Sequence, residues 1–222
     1  MFDIPKYSWI KYAIGIHPKY VCKEDLDSKR LEELFDLLDD SKCVAIGECG
    51  LDYSYQMFDV EHRALQIKLF ELFIDKANDK NLPMILHVRP AVYQCEYNAT
   101  KDALDILNGH RILNGAVLHC FCGNCFEMKA YLEAGVSHFG IGGRICYGNT
   151  ELEKAVKNMP QERILLETDS PYIKLESGTI PNTSLSLFDI AAKIAEIRGT
   201  SVERIAEITY CNALRLFDME GR

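Results

Sequence analysis

Five short apolar runs in this 222-residue chain each finish on a side chain able to bind a metal ion or move a proton. They are Ala13-Ile14-Gly15-Ile16-His17, Val44-Ala45-Ile46-Gly47-Glu48, Met84-Ile85-Leu86-His87, Ala116-Val117-Leu118-His119 and Ile164-Leu165-Leu166-Glu167-Thr168-Asp169. Neutral imidazoles and carboxylates are donors for divalent ions. An ion so held lowers the pKa of a coordinated water and neutralises charge on a phosphoryl oxygen, and both effects suit phosphodiester hydrolysis. In a parallel α/β barrel the strand ends converge on one face, where barrel enzymes carry their chemistry. The pattern points to an enzyme built round a metal centre.

The elements that must position these residues are legible as alternating strands and amphipathic helices, the signature of βα units. We expect strands near residues 10–16, 43–48, 84–88, 115–120, 136–141 and 163–168. Helices are expected over Ser28–Asp40, with Leu31, Leu34, Phe35 and Leu38 on one face, and over Asp59–Asn81. Others follow over Asn124–Ala134, stopped by Gly135, and Thr150–Asn158, stopped before Pro160. Two more close the chain, Thr183–Arg198 before Gly199 and one opened by Ser201 that runs to Phe217. No linker or internal repeat interrupts the pattern, so one domain over residues 1–222 is expected.

Composition narrows the class further. With 48% hydrophobic and 26% charged residues, the chain has an ordinary globular balance, which excludes disorder. No apolar run reaches the roughly 20 residues of a membrane span, and Met1 to Lys6 lacks the basic stretch of a leader, so a cytoplasmic protein without a membrane partner is expected. The nine cysteines are scattered and read as thiols. Cys120, Cys122 and Cys125 are closely spaced, yet no second ligand pair at zinc-finger spacing follows them. A net charge of −8 disfavours broad electrostatic binding to nucleic acid, though not a nucleic acid held through bound cations. His62 and His110 fall within or beside helices and His138 inside a strand, and all three read as structural.

Four motifs sharpen the picture: Ile-Gly-Glu-Cys-Gly-Leu-Asp-Tyr around Glu48, Ile-Leu-His-Val-Arg around His87, Leu-His-Cys-Phe-Cys-Gly around His119 and Leu-Leu-Glu-Thr-Asp-Ser-Pro-Tyr around Asp169. In this order and spacing the chain resembles the TatD family of metal-dependent deoxyribonucleases, from Gly15-Ile16-His17-Pro18 to Asn212-Ala213-Leu214-Arg215-Leu216-Phe217. The resemblance implies an α/β fold of the TIM-type (β/α) barrel kind and DNA as substrate. It also implies one or two divalent ions per chain, Mg²⁺, Mn²⁺ or Zn²⁺. By the same resemblance Glu48 is the shared carboxylate, His87 and His119 hold one ion, and Asp169 holds the other. Asp169 then deprotonates the attacking water, so Asp169 and Glu48 are the catalytic candidates.

Weaker substrate-binding candidates are His17, at a strand end before Pro18, Arg89, whose guanidinium matches phosphate geometry, and Asn182. Gly142-Gly143-Arg144 follows a strand and could bring backbone amides to a phosphate. Pro181 stands where the family usually has a basic residue, and Cys122 where it usually has serine.

The main departure lies at the start. The family opens on a strand bearing a His-x-His pair that supplies two ligands, whereas residues 1–9 hold no histidine and Gly-Ile-His-Pro arrives at residue 15. Six recognisable strands in place of eight imply a barrel incomplete at its N-terminus, with open edges to be covered by the N-terminal segment, by a second copy or a partner chain, or by a changed strand order. They also imply one well-formed metal site and one crippled or absent. Two other functions remain open on the sequence: a metal-dependent hydrolase of a small ester, lactone or amide, and a non-catalytic scaffold that has lost its first metal site.

Overall fold

The computed structural model describes residues 7, 9–54, 59–92, 96–173, 175 and 182–219. The described residues fall into two compact units, one up to Ala116 and one from Val117 onward, and the boundary falls within one strand.

The first unit carries β1 (Tyr12–Ile14), α1 (Ser28–Asp36), β2 (Cys43–Asp52), α2 (Val60–Lys80), β3 (Met84–Arg89) and α3 (Ala99–Gly109). Its strands are parallel and pair in chain order, Ala13 opposite Ala45 and Gly50 opposite His87. Nearly every residue of β2 is buried, as expected of a parallel strand covered on both faces. The core of the unit sets Ala45, Ile46, Cys49 and Leu51 of β2 with Leu69, Phe70, Phe73 and Ile74 of α2, all close to fully buried.

The second unit takes most of β4 (Ala116–Leu118), then α4 (Cys125–Glu133), β5 (His138–Ile141), α5 (Thr150–Asn158), β6 (Ile164–Leu166), α6 (Ser186–Arg198) and α7 (Val202–Leu216). Strand β5 pairs in parallel with β4 on one side and β6 on the other, Val117 opposite His138 and Gly140 opposite Leu165. Phe139 lies at its centre, fully buried, with its ring 4.9 Å from that of Phe121. Asn212 of α7 donates from its amide to the carbonyls of Gln161 and Ile164 at 2.9 Å each, which ties the last helix to β6.

The helix starts follow local chemistry. Asp27, Asp59, Asn98, Asn124, Asn149 and Ser201 each accept a backbone N–H of the first turn, satisfying donors with no partner inside the helix. The expected helices are observed with ends moved by a few residues, and α5 matches its expected range. Helix α3 was not expected. Its signals are the Asn98 cap and the buried stripe Ala99, Ala103, Ile106 and Leu107. Among the described residues no helix is long and apolar enough to cross a membrane.

Strand β2 is the main difference from the expected boundaries. It runs four residues beyond Glu48, and its register against β3 shifts between Gly47 and Cys49, so that Glu48 is the extra residue of a bulge. Beyond the bulge Gly50 is opposite His87 and Asp52 opposite Arg89. Because side chains alternate along a strand, Asp52 then shares a face with His87. Gly50 has φ 134°, and a Cβ there would run into the carbonyl oxygen of His87, so glycine is what permits the close approach.

Candidate metal centres

In the first unit, three strand ends bring His17, Glu48, Asp52 and His87 together. His87 is mostly buried, with Nε2 3.1 Å from Oδ2 of Asp52 and Nδ1 3.3 Å from Oε2 of Glu48. Asp52 is 1% exposed whereas Glu48 is 33% exposed, so one ring nitrogen faces an interior carboxylate and the other an accessible one. Asp52 is held in turn by the backbone N–H and the hydroxyl of Ser54, at 2.9 and 2.5 Å. Burial raises the pKa of Asp52, but hydrogen bonds from His87 and Ser54 outweigh it and hold the carboxyl well below the usual range. Burial likewise disfavours charged His87, and its bonds to Asp52 and Glu48 again win, so its pKa is raised.

His17 sits 4.3 Å from the His87 ring, centroid to centroid, with its Nε2 3.7 Å from Oε2 of Glu48. Its Nδ1 accepts the backbone N–H of Lys19 at 3.1 Å. A neutral imidazole that accepts at Nδ1 carries its proton on Nε2. His17 therefore turns a donor toward Glu48, which suits a hydrogen bond to substrate better than a metal bond. Burial and the neighbouring charge of His87 both lower its pKa, which keeps it in this neutral form.

The second unit repeats the arrangement. His119 lies with Nδ1 2.8 Å from Oε2 of Glu167 and Nε2 3.5 Å from Oδ1 of Asp169. The other oxygen of Glu167 accepts the backbone N–H of Cys120 at 2.6 Å. Glu167 is 18% exposed and Asp169 26%, so the less exposed carboxylate again orients the ring from behind while the more accessible one faces its free edge. Burial opposes the charged form of His119, and hydrogen bonds to Asp169, Cys120 and Glu167 overcome it, so the pKa is raised far above an ordinary histidine. Donor atoms of His119, Cys120 and Asp169 all lie within 4.8 Å of one another. Cys120 and Asp169 adopt φ of 49° and 54°, a left-handed conformation that non-glycine side chains enter at a cost, and such positions concentrate where function demands them.

These clusters fit a divalent cation by the chemistry of their donors. An ionised carboxylate only accepts hydrogen bonds, so the carboxylate behind each ring fixes a proton on the nitrogen it faces. The opposite nitrogen is left with a lone pair pointing at a second carboxylate. Such a pair is repulsive unless a proton or a metal ion lies between, and a carboxylate behind a metal-bound histidine is the usual orienting arrangement. On this reading His87 would bind through Nδ1 beside Glu48, and His119 through Nε2 beside Asp169.

The strands thus gather Glu48, His87 and His17 in one unit, and His119 and Asp169 in the other. Arg89 ends β3 with its side chain exposed, and its carbonyl accepts the N–H of Tyr53. Asn182 is buried: its amide nitrogen donates to the carbonyl of Thr168 at 2.5 Å and its oxygen accepts from the hydroxyl of Ser186 at 2.6 Å. It braces the segment that presents Asp169. Pro181 lies outside the described residues. Gly143 packs against Ile173 and Leu175, where a Cβ would come within 3.3 Å of both side chains. Cys122 is exposed and Cys125 opens α4, so of the three closely spaced cysteines only Cys120 joins the donor group. His62 donates its backbone N–H to Asp59, the cap of α2, and His138 is buried in β5 beside Ser137.

Asp52 and Glu167 were not among the residues singled out from the sequence. Both lie inside the quoted motifs, and the i, i+2 spacing of Glu167 and Asp169 was the available sign of two carboxylates on one face of a strand end.

The family model described as TatD related DNase matches residues 4–218. The chain is 34% identical to the metal-dependent hydrolase YabD of Bacillus subtilis, over 96% of this chain and 80% of the relative. It is 31% identical to a protein of Erwinia billingiae named 3'-5' ssDNA/RNA exonuclease TatD, over 96% of this chain and 78% of the relative. Among solved structures, the TatD homologue YjjV of Escherichia coli superposes with a TM-score of 0.82 at 27% identity, covering 96% of this chain and 78% of that one. A TatD family hydrolase of Entamoeba histolytica matches with a TM-score of 0.72 at 26% identity, covering 92% and 73%. The match of the family model over nearly the whole chain, the similarity to these relatives and the shared α/β architecture make this chain a member of the TatD family of metal-dependent hydrolases.

Proposed function

We propose that the protein hydrolyses phosphodiester bonds of DNA, with His87 and Glu48 in one unit and His119 and Asp169 in the other as the residues that hold the metal. The observation that carries this reading is the pair of histidines, each with a carboxylate at both ring nitrogens. A divalent ion bound there supplies an acidified water and positive charge for a phosphoryl oxygen.

The residues of the chain do the rest. Asp169, the more exposed carboxylate of its cluster, takes the proton of the attacking water as general base. Glu167 and Asp52 keep the two imidazoles in the tautomer and orientation their partners require. Within the first unit, His17 presents an Nε2 donor and exposed Arg89 a guanidinium fork, both suited to phosphate oxygens. With a net charge of −8, the chain would meet a polyanion through these local cations and not through a broad basic surface.

The test is hydrolysis of single-stranded DNA by chelator-stripped protein given back Mg²⁺, Mn²⁺ or Zn²⁺, beside His119→Ala and Asp169→Ala and a parallel small-ester substrate. DNA cleavage restored by metal and abolished in both variants is expected. Cleavage unaffected by either substitution would overturn the site, and metal-dependent turnover of the ester alone would overturn the substrate.

A further inference from the structure

We propose that Tyr20, on the short turn that follows β1, stacks against an unpaired base of the substrate and so makes the protein prefer a base-bearing strand to a bare phosphodiester chain. The proposal rests on DNA as the substrate and names a residue that sets its recognition. Proteins that hold single strands without regard to sequence combine cations that follow the backbone with aromatic rings on which bases stack. The segment His17 to Tyr20 brings both to one place. The Tyr20 ring is 70% exposed, and the exposed Lys19 carries its ammonium 5.6 Å from the centre of that ring. The Tyr20 and His17 rings lie 5.6 Å apart, tilted at 52°, and His17 in turn lies 4.3 Å from His87. Three rings thus lead from open surface to the cluster of the first unit, with the Nε2 donor of His17 in the middle.

Exposed aromatic rings are common on protein surfaces. What sets this one apart is how firmly its turn is fastened beside the site. Pro18 is buried, and its carbonyl accepts from Nε2 of Gln66 at 3.0 Å. Gln66 of α2 is itself buried, and the same amide group donates to the carbonyl of Asp52 at 3.1 Å and accepts the Asp52 N–H at 2.8 Å. One interior side chain therefore ties the turn that carries Tyr20 to the strand end that carries Asp52. Within the turn the Tyr20 N–H reaches the carbonyl of His17 at 3.0 Å. A ring so placed loses little freedom when a flat partner settles on it. Stacking also suits a chain of net charge −8, because it draws on the face of a base and not on a broad basic surface.

The test is steady-state hydrolysis, by metal-loaded full-length protein, of a single-stranded oligonucleotide and of an abasic strand of the same length. Wild type is compared with Tyr20→Ala, Tyr20→Phe and, as a control, Tyr210→Ala, which removes an exposed tyrosine of α7. On the base-bearing strand we expect Tyr20→Ala to raise KM roughly 5- to 150-fold, the loss of one base stack, with kcat near wild type and circular dichroism native. Tyr20→Phe, which keeps the ring, and Tyr210→Ala should stay near wild type. On the abasic strand wild type and Tyr20→Ala should not differ. An unchanged KM for Tyr20→Ala on the base-bearing strand would overturn the proposal. So would an equal loss on the abasic strand, which would place the ring on sugar and phosphate, or an equal loss in Tyr20→Phe, which would assign the effect to the hydroxyl. Each of these results leaves the DNA reading standing. Wild type that cleaves neither strand would overturn both.

Discussion

Replacing Glu167 by glutamine keeps its volume and removes one of two acceptors. The carboxylate accepts from the Cys120 N–H at 2.6 Å with one oxygen and faces the His119 Nδ1 at 2.8 Å with the other. Glutamine offers one oxygen and one NH₂, so one of these two donors must face another donor. If the backbone N–H keeps the oxygen, the His119 ring loses its anchor and its tautomer is no longer specified. A hydrogen bond to a charged group is worth about 1.5–3 kcal/mol. Loss of a partner behind a metal-bound histidine lowers metal affinity roughly 10–100-fold, which is about 1.4–2.7 kcal/mol. The two routes agree on about 2 kcal/mol. Competition for Zn²⁺ against a chromophoric chelator at pH 7 reads the change, with circular dichroism to confirm that the variant folds. An affinity equal to the wild type in a folded Glu167→Gln variant would refute the claim that Glu167 orients His119 toward the ion.

Other expectations rest on the same unit. A methyl group at Gly140 would collide with the Glu167 carboxylate, so Gly140→Ala should weaken Zn²⁺ binding in the same competition assay while far-ultraviolet circular dichroism stays native. Phe139 is fully buried against Phe121, and Phe139→Ala should cost about 3–5 kcal/mol in urea unfolding; a loss below 1 kcal/mol would contradict the packing. Burial, helped by the charge of Arg163, lowers the His138 pKa from 6.5 to about 4. The unfolded chain therefore binds a proton that the folded one resists. Stability should be full above pH 6.5 and fall as pH drops toward 4, by about 3 kcal/mol at roughly 1.4 kcal/mol per pH unit. His138→Gln should flatten this part of the profile, and an unchanged slope would contradict the assignment.

Strand positions were legible because parallel strands buried on both faces read as uninterrupted apolar runs, such as Ile164-Leu165-Leu166. Helix ends were legible where a side chain caps them, as at Asn124 and Ser201, and less so at α6. There Leu185 offers no capping oxygen and the helix begins at Ser186, not at Thr183. Helix α3 was passed over because its buried stripe is half alanine, at Ala99 and Ala103, and gives a weak apolar signal.

In the site, the outer residues could be read from their place after an apolar run: Glu48, His87, His119 and Asp169. The inner carboxylates could not be read that way. Asp52 comes into line with His87 only through the bulge at Glu48 and the continuation of β2, neither of which an apolar pattern announces. Glu167 was hidden by Asp169 two residues on, which looked like the end of the same run. Cys120 joins His119 and Asp169 through a left-handed backbone at a residue that is not glycine, and nothing in residue type foretells that.

The central claim is that an ion takes the place of the proton between each histidine and its more exposed carboxylate. Anomalous diffraction at the zinc edge from crystals of the Zn²⁺-loaded protein tests it most directly. We predict peaks within bonding distance of His119 Nε2 and Asp169, and of His87 Nδ1 and Glu48, with Glu167 and Asp52 still behind the rings. Absence of zinc from both clusters, or zinc held by Glu167 or Asp52 in place of the exposed carboxylates, would contradict it.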